Sequence, residues 1–537
     1  MNQRRYGALA GLASAAVALG VAELLAVLTG ARSAPLVAVG GVVVDSVPES
    51  VKEFAVRVFY THDKLALLIG TGVVVALFAA VVGVLAVRRL WYGLAGVALL
   101  GVVGAVAALT RHGASWTYAL PSVLGTFAGA WVLVALRARL VALTPAEPTP
   151  RLEPATTAPV VGPPTIVSPP PVEQDWESPR TGEAGRRRFL QLAGGAIGIG
   201  LVAGVAGRWL ATRRNVSAAR AAVTLPAPTS VAPPLPAEVD FHIKDLAAFV
   251  TDNRDFYRID TALSVPQVDP ATWQLRIHGR VRNPMTITYA QLLARPMIER
   301  YVTLACVSNE VGGNLISNAR WLGVPIKDLL DEVDPDPGAD QLVSRSVDGF
   351  TAGTPTAVLR DGRDAMLAVG MNGQPLPVEH GFPVRMVVPG LYGYVSATKW
   401  LAEWELSSFK DFDAYWIRRG WAQQAPIKTE SRIDTPGDGA TRKPGQVVVA
   451  GVAWAQHRGI SKVEVRVDDG PWQQATLGAV PSIDTWRQWT WAWTATAGHH
   501  TLTVRATDNG GATQTEAEEP PAPDGATGWH QVNVTVS

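Results

Sequence analysis

One cysteine, Cys306, stands alone in 537 residues, inside the run TLACVSNEVGGN. A single thiol excludes an intramolecular disulfide, a four-cysteine zinc site, an iron–sulfur cluster and a C-x-x-C-H haem attachment. Three readings of Cys306 remain: a small buried hydrophobe, a nucleophile, or one thiolate ligand to a soft metal. A second group of chemistry-bearing residues falls in Met371–Trp400, where His380, Arg385 and Lys399 follow one another. Arginine offers a two-pronged donor fork and lysine a point charge, so such residues converging on one place suit an anion such as a phosphate. Arg385 lies in the strand-like run PVRMVVPG, a poor setting for a solvated charge, whereas His380 by type alone is an ordinary loop histidine.

The elements that must position these residues differ along the chain. Net charge is +1 and no basic patch interleaves with aromatics, which gives no electrostatic case for nucleic acid. Residues 1–143 carry few charges and four apolar runs long enough to cross a hydrocarbon core of about 30 Å: Tyr6–Leu28, Leu65–Val87, Leu90–Leu109 and Trp116–Leu136. Arg4 and Arg5, Arg88 and Arg89, and Arg137 and Arg139 all fall on one side if every run spans, which makes that side cytoplasmic. Pro35–Val44 is apolar but short and reads as an outside loop or interfacial piece. His62 and His112, near outer helix ends, read as loop histidines rather than a haem pair. Glu23 is the clear charge inside a span, which leaves little sign of an ion path and favours an anchor over a transporter.

Residues 144–185 are a Pro-rich cytoplasmic linker. Residues 186–212 hold a fifth apolar helix behind Arg186, Arg187, Phe189, Leu190 and Gln191. That pattern is similar to a twin-arginine export signal, and it also fits a charged stop before a membrane helix. An uncleaved anchor is expected, since cleavage at Ala219-Arg220-Ala221 would part the soluble half from its own bundle. A second Pro-rich spacer covers 213–240. Over 241–440 strand patterns such as Trp273–Val281 mix with short helical runs at Tyr289–Leu293 and Ile326–Leu330. From 441 to 537 short β-branched runs alternate with turns, including Asp469-Gly470 and Asn509-Gly510, which predicts an immunoglobulin-like β-sandwich.

Several segments, in order, resemble the sulfite-oxidase-type molybdopterin oxidoreductases. FYRIDTALSVP (Phe256–Pro266) is similar to the family's entry segment, and the resemblance gives Tyr257, Arg258, Ile259 and Asp260 places beside metal and pterin. TLACVSN resembles the segment whose cysteine coordinates molybdenum, with Asn309 kept after Cys306. SVDGFTAGTP brings Asp348 and Thr354, and Met371–Trp400 resembles the pterin and phosphate grip, with His380, Arg385, Ser396, Thr398 and Lys399. The stretch from Val449 resembles the start of the family's dimerisation domain. The resemblance implies a multidomain chain: an N-terminal all-α transmembrane bundle, an α+β molybdopterin domain and a C-terminal immunoglobulin-like β-sandwich.

It also implies one molybdenum–molybdopterin per chain, with Cys306 as metal ligand and, with Arg258, as the catalytic pair in two-electron oxygen-atom transfer. The partners expected are a small-molecule substrate, the membrane, an external electron carrier (a cytochrome or a quinone-linked carrier) and a second copy of the chain. Departures bear on the substrate. Sulfite oxidases follow the cysteine with A-G-N-R-R; here Val307, Ser308, Asn309, Glu310 and Val311 stand there, and Val452 takes the place of an active-site tyrosine. Loss of those anion-binding groups leaves S-oxide or N-oxide reduction beside sulfite oxidation, and a catalytically silent membrane-tethered scaffold as the reading from another class. Trp489, Trp491 and Trp493 either line the site or form one face of a strand.

Overall fold

Helices whose residues are apolar on every side cannot stay in water, and the first part of the chain is made of them. A computed structural model describes residues 3–47, 51, 58, 63–111, 113–142, 180–213 and 216–537; His62, His112 and nearly all of the linker expected at 144–185 lie outside them. Two units result, Met1–Arg213 and Arg214–Ser537.

The first unit contains α1 (Gln3–Thr29), α2 (Pro35–Ser46), α3 (Asp63–Arg88), α4 (Leu90–Leu109), α5 (Leu120–Ala142) and α6 (Arg180–Arg213). Among the described residues, five helical stretches are long and apolar enough to cross a membrane: Gln3–Thr29, Lys64–Arg88, Leu90–Leu109, Trp116–Ala142 and Gly185–Leu210. In lipid the hydrophobic effect does not drive helices together, so close backbone approach at small residues does. A Cβ on Gly11 would stand 1.9 Å from Ala79 O of α3, and one on Gly20 only 2.3 Å from Gly200 O of α6. α6 is therefore a packed member of the bundle, with Phe189 buried against Tyr6 at 5.4 Å between ring centroids. Pro35–Val44 is not a loop: proline at the first helical turn starts α2, which packs through Ala38 on Ala107 and Ala108 of α4.

In the second unit one five-stranded sheet runs, in space, Met285–Thr288, Gln274–Gly279, Leu401–Ser407, Gln341–Ser346, Thr351–Pro355. The pairing of Gln274–Gly279 with Leu401–Ser407 is parallel and its other pairings are antiparallel. A second sheet holds Ile298–Ala305, Ile316–Pro325, Met366–Met371 and Gln374–Pro375, with Arg385–Val387 added beside Met366–Met371. The expected helices are present as Tyr289–Leu293, capped reciprocally by Thr288 and Gln291, and Ile326–Val333. Leu275, Ile277, Leu329, Leu330, Leu342 and Leu367 close the core between them.

The prolines of 213–240 supply extended backbone that lies along this core rather than standing off it. Thr229 N–H donates to Met297 O, Ser230 bridges to Ile298, and Val223 and Leu225 pack on buried residues.

The C-terminal part is a β-sandwich. One sheet runs Glu430–Thr435, Gly445–Trp454, Arg487–Ala495, Thr476–Leu477; the other Ala440–Arg442, His530–Val536, Gly498–Asp508, Ile460–Val467, Gln473–Gln474. Trp489 and Trp493 fill its interior with Val449, Leu502 and Val504, and Trp491 packs against them. The tryptophans are thus the inward face of a strand. Val452, Trp454 and Trp486 instead belong to the core of the α+β part, so the sandwich contributes to that interior as well as to its own. The strand pairing at their border is tight: a Cβ on Gly451 would lie 1.8 Å from Arg432 O. Gly451→Ala is expected to lower stability by about 1–3 kcal/mol; an unchanged thermal midpoint, followed by tryptophan fluorescence, would contradict this register.

Candidate active site

The strand Ile298–Ala305 delivers Cys306 to the base of a closed loop. Cys306 N–H donates to Leu315 O at 2.9 Å, Asn309 N–H to Cys306 O at 3.1 Å, and Leu315 N–H to Asn309 Oδ1 at 2.7 Å. Asn309 thus staples the loop with its side chain. The thiol is half-buried; burial pushes its pKa up, and hydrogen bonding from Ser308 opposes that. Metal binding must therefore expel a proton.

Two phenols lie within electrostatic reach of this thiol, Tyr257 and Tyr392, and burial raises both, so they remain protonated donors. Gly393 sits between them: a Cβ there would stand 3.8 Å from Ala305 O and 3.9 Å from Tyr257 Oη. Tyr392 was not singled out from the sequence, because nothing in the spacing of LYGY distinguishes it from a core tyrosine.

The cations gather on the other side of Tyr257. Arg385 is buried on its short strand with its guanidinium 5.0 Å from the Trp321 ring. It donates to His380 O at 3.2 Å, Met386 O at 3.3 Å and Ala397 O at 3.5 Å, all neutral acceptors, and burial pulls its pKa down to about 10. Gly381, at φ +112°, permits this: a Cβ there would be 3.0 Å from Arg385 Cβ and 3.2 Å from Lys399 Cα.

Lys399 Nζ donates to Asp260 Oδ2 at 2.8 Å and Glu379 O at 3.2 Å; burial draws it down to about 8, against the pull of Asp260. Arg258 Nε reaches the same Asp260 oxygen at 2.9 Å, with its side chain 40% exposed. His380 is buried beside Phe256, its Nε2 2.9 Å from Asn253 O, and burial with the nearby Arg385 charge lowers it to about 4, so the ring is neutral and Nε2–H is the donor.

The remaining predicted residues have structural partners. Thr354 Oγ1 donates to Val395 O, Ser396 Oγ to Tyr392 O, and Thr398 Oγ1 lies 2.7 Å from Ser344 Oγ, which together fix the turn Gly393–Ser396. Asp348 accepts from Phe350 N–H in a hairpin turn, and Ile259 is exposed.

These donors suit a phosphorylated pterin. A buried guanidinium without a carboxylate partner among the described residues calls for an anion, and a lone thiolate-forming sulfur suits a soft metal that takes its other ligands from a cofactor.

Comparison with known proteins agrees. Residues 262–416 match the oxidoreductase molybdopterin binding domain family, and residues 430–504 the bacterial Ig domain family. The chain is 32% identical over 241 residues to the protein-methionine-sulfoxide reductase catalytic subunit MsrP of Burkholderia mallei, covering 41% of this chain and 69% of that one. This chain is a sulfite-oxidase-type molybdopterin oxidoreductase. The oxidoreductase is also 29% identical over 353 residues to human mitochondrial sulfite oxidase (54% and 62% covered), and 30% over 281 residues to the rat protein (43% and 50%). It thus spans half to about three fifths of the length of these two. Among solved structures it is similar to the sulfane dehydrogenase SoxCD of Paracoccus pantotrophus, at 23% identity and TM-score 0.48 over 54% of this chain and 82% of that one.

A further acid sits near Tyr392. Glu430 opens the strand Glu430–Thr435, is buried, and is pushed up to about 8 by desolvation, with Lys428 opposing. From the ordinary value of 4.5 up to about 8, the unfolded chain has lost a proton that the folded oxidoreductase keeps, so stability falls as pH rises across that window. Glu430→Gln should remove this slope, gaining on the order of a few kcal/mol at pH 9 and nothing at pH 4. Parallel melting curves for both proteins across that range would refute the assignment.

Proposed function

We propose that this chain is a membrane-anchored oxygen-atom-transfer enzyme that reduces a small S-oxide, with Cys306 as the molybdenum ligand and the catalytic unit outside the cytoplasm. The observation that carries this reading is one thiol at the base of a closed loop, within electrostatic reach of two protonated phenols, one of which, Tyr257, also feels a buried guanidinium held only by carbonyls. When bound, the molybdenum–pterin group supplies the two-electron couple and the exchange of the oxygen atom.

The chain's own residues do the rest. Arg385, with His380 and Lys399 beside it, holds the pterin phosphate. Asp260 keeps Lys399 and Arg258 in place, and the exposed fork of Arg258 orients the substrate oxygen. Tyr392 and Tyr257, kept neutral by burial, offer hydrogen bonds that a neutral S=O group accepts.

Charge supports the reductive direction over sulfite oxidation. Asp260 offsets the Arg258 and Lys399 cations, and Glu310 is exposed where sulfite oxidases carry an arginine. A sulfite dianion therefore meets less positive charge than it needs, whereas an uncharged S-oxide needs none. The name of the Burkholderia relative, a methionine-sulfoxide reductase, points the same way.

Arginines at the ends of α1, α3 and α5 put those ends in the cytoplasm, and the fifth span then leads the chain outward. The Arg186–Leu190 pattern suits a twin-arginine route, which exports folded, cofactor-loaded domains. Electrons come from an external cytochrome or quinone-linked carrier, and the sandwich is the surface expected to pair two copies.

Purified from a cofactor-competent host, the chain should hold one molybdenum per chain and reduce methionine sulfoxide with reduced viologen faster than it oxidises sulfite with ferricyanide. The reverse order would make it a sulfite oxidase, and absence of both activities a scaffold. Cys306→Ser should keep pterin and lose activity by at least about 10³-fold; an active Cys306→Ala enzyme would sink the mechanism. Arg385→Ala should lose most of its molybdopterin, and full occupancy would remove Arg385 from the phosphate site.

A further inference from the structure

The segment around Cys306 is held from both sides by the β-sandwich. Upstream, Thr303 is gripped at every polar atom. Its N–H donates to Asp484 O at 3.0 Å, its carbonyl accepts from Gln456 Nε2 at 3.3 Å, and its hydroxyl accepts from Trp486 N–H at 2.8 Å while donating to Asn318 Oδ1 at 3.0 Å. Asp484, Gln456 and Trp486 all come from the C-terminal part of the chain.

Downstream, Arg432 Nη1 donates to Gly313 O at 2.7 Å, and Arg432 Nε to Asp434 Oδ1 at 2.5 Å. Both side chains of that pair are nearly buried, 11% and 7% exposed, so the guanidinium has little freedom to leave the carbonyl. The His530 ring closes on Gly312, where a Cβ would stand 2.2 Å from its Cδ2; that glycine has φ +76°. His530 Nδ1 accepts from Ile433 N–H at 2.9 Å, which fixes the ring over the loop. Gly528 approaches Val311 in the same way, a Cβ there lying 3.4 Å from Val311 Cγ2.

We infer that the sandwich sets the position of the Cys306 sulfur, and that Arg432 is the positioning residue through which it does so. The inference rests on the reading of Cys306 as metal ligand for its consequence, but the restraint on the loop exists without a metal. The physical reason is geometric. The internal bonds of Cys306, Asn309 and Leu315 close the loop at the sulfur, and the two glycines on its far side give a freedom there that contacts from the sandwich remove. A charge-assisted bond to the Gly313 carbonyl takes away the rotation that would swing the thiol, and the grip on Thr303 fixes the other end. Chemistry at a metal tolerates misplacement of a ligand by only a fraction of an ångström before its rate falls.

The test uses the full chain with three substitutions: Arg432→Ala, Arg432→Lys, and Arg505→Ala as a control in the outer sheet, where Arg505 pairs with Glu464 at 3.0 Å. Because Cys306 is the sole thiol, iodoacetamide alkylation of protein made without molybdopterin reports this one site. Arg432→Ala should be alkylated several-fold faster than the parent, Arg432→Lys should lie between them, and Arg505→Ala should match the parent. In the loaded enzyme Arg432→Ala should keep its molybdenum and pterin, shift the sulfur-to-molybdenum charge-transfer absorption, and lower kcat about tenfold with KM unchanged.

An unchanged alkylation rate in Arg432→Ala, or an equal rise in Arg505→Ala, overturns the positioning role. A charge-transfer signature that persists in Cys306→Ser overturns instead the ligand reading, and leaves the alkylation result standing as evidence for the grip. Should Arg432→Ala fail to fold, Arg432→Lys, which keeps the charge on one nitrogen but loses the fork, carries the test on the same readouts.

Discussion

A guanidinium taken out of water at Arg385, with carbonyl oxygens and an indole face for company, is the constraint around which the catalytic half is organised. Burying a charge without a counter-charge is unfavourable by several kcal/mol, so the fold must hold the group from every side until an anion arrives. Gly381 opens the space, Trp321 supplies the face and His380 its carbonyl. Lys399, the next cation along, is neutralised by Asp260. The asymmetry is plain: one cation is compensated by a carboxylate and the other is held by neutral acceptors. The same stretch, Met371–Trp400, also carries Tyr392, so one short piece of chain holds both the buried cations and a phenol within electrostatic reach of the thiol.

Much of this was legible in the residue types. A lone cysteine narrows the metal chemistry by elimination, and an arginine inside a hydrophobic strand announces a buried charge. Long apolar runs give spans, and alternating β-branched runs give the sandwich. What stayed hidden has a common physical origin in three-dimensional proximity between distant segments. Tyr392 comes near the thiol, although 86 residues separate them in sequence, and Glu430 comes near Tyr392 only because the strand Glu430–Thr435 folds back over the molybdopterin domain. The tryptophans of RQWTWAWTATAG alternate at period two whether they face a site or a core, and only the packing of Trp489 and Trp493 against Leu502 and Val504 decides it. Pro35–Val44 misled for a local reason: its length excludes a span, and being too short to span does not exclude a helix begun by proline. Thr354, Ser396 and Thr398 resemble cofactor contacts by position, and the structure gives each hydroxyl a partner inside the fold.

The helical bundle follows different rules from the catalytic half. Its cohesion comes from glycine and alanine letting backbones touch, and the helix behind Arg186–Arg188 shares in that packing as closely as the others. That helix has a fitted surface on α1, where a Cβ on Gly207 would lie 2.6 Å from Glu23 C.

The shared interior of the α+β part and the sandwich has a further consequence. Val452 and Trp454, on a sandwich strand, and Trp486, just ahead of another, lie in the catalytic core. Sequence families divide the chain near residue 430, and topology agrees, but cohesion does not. Cut there, the sandwich would show water the indoles of Trp454 and Trp486 that the other part now covers. The immunoglobulin-like part is therefore no interchangeable accessory: as a protein evolves, its inner face and the His530 end of its outer sheet can change only in step with the enzyme they lean on.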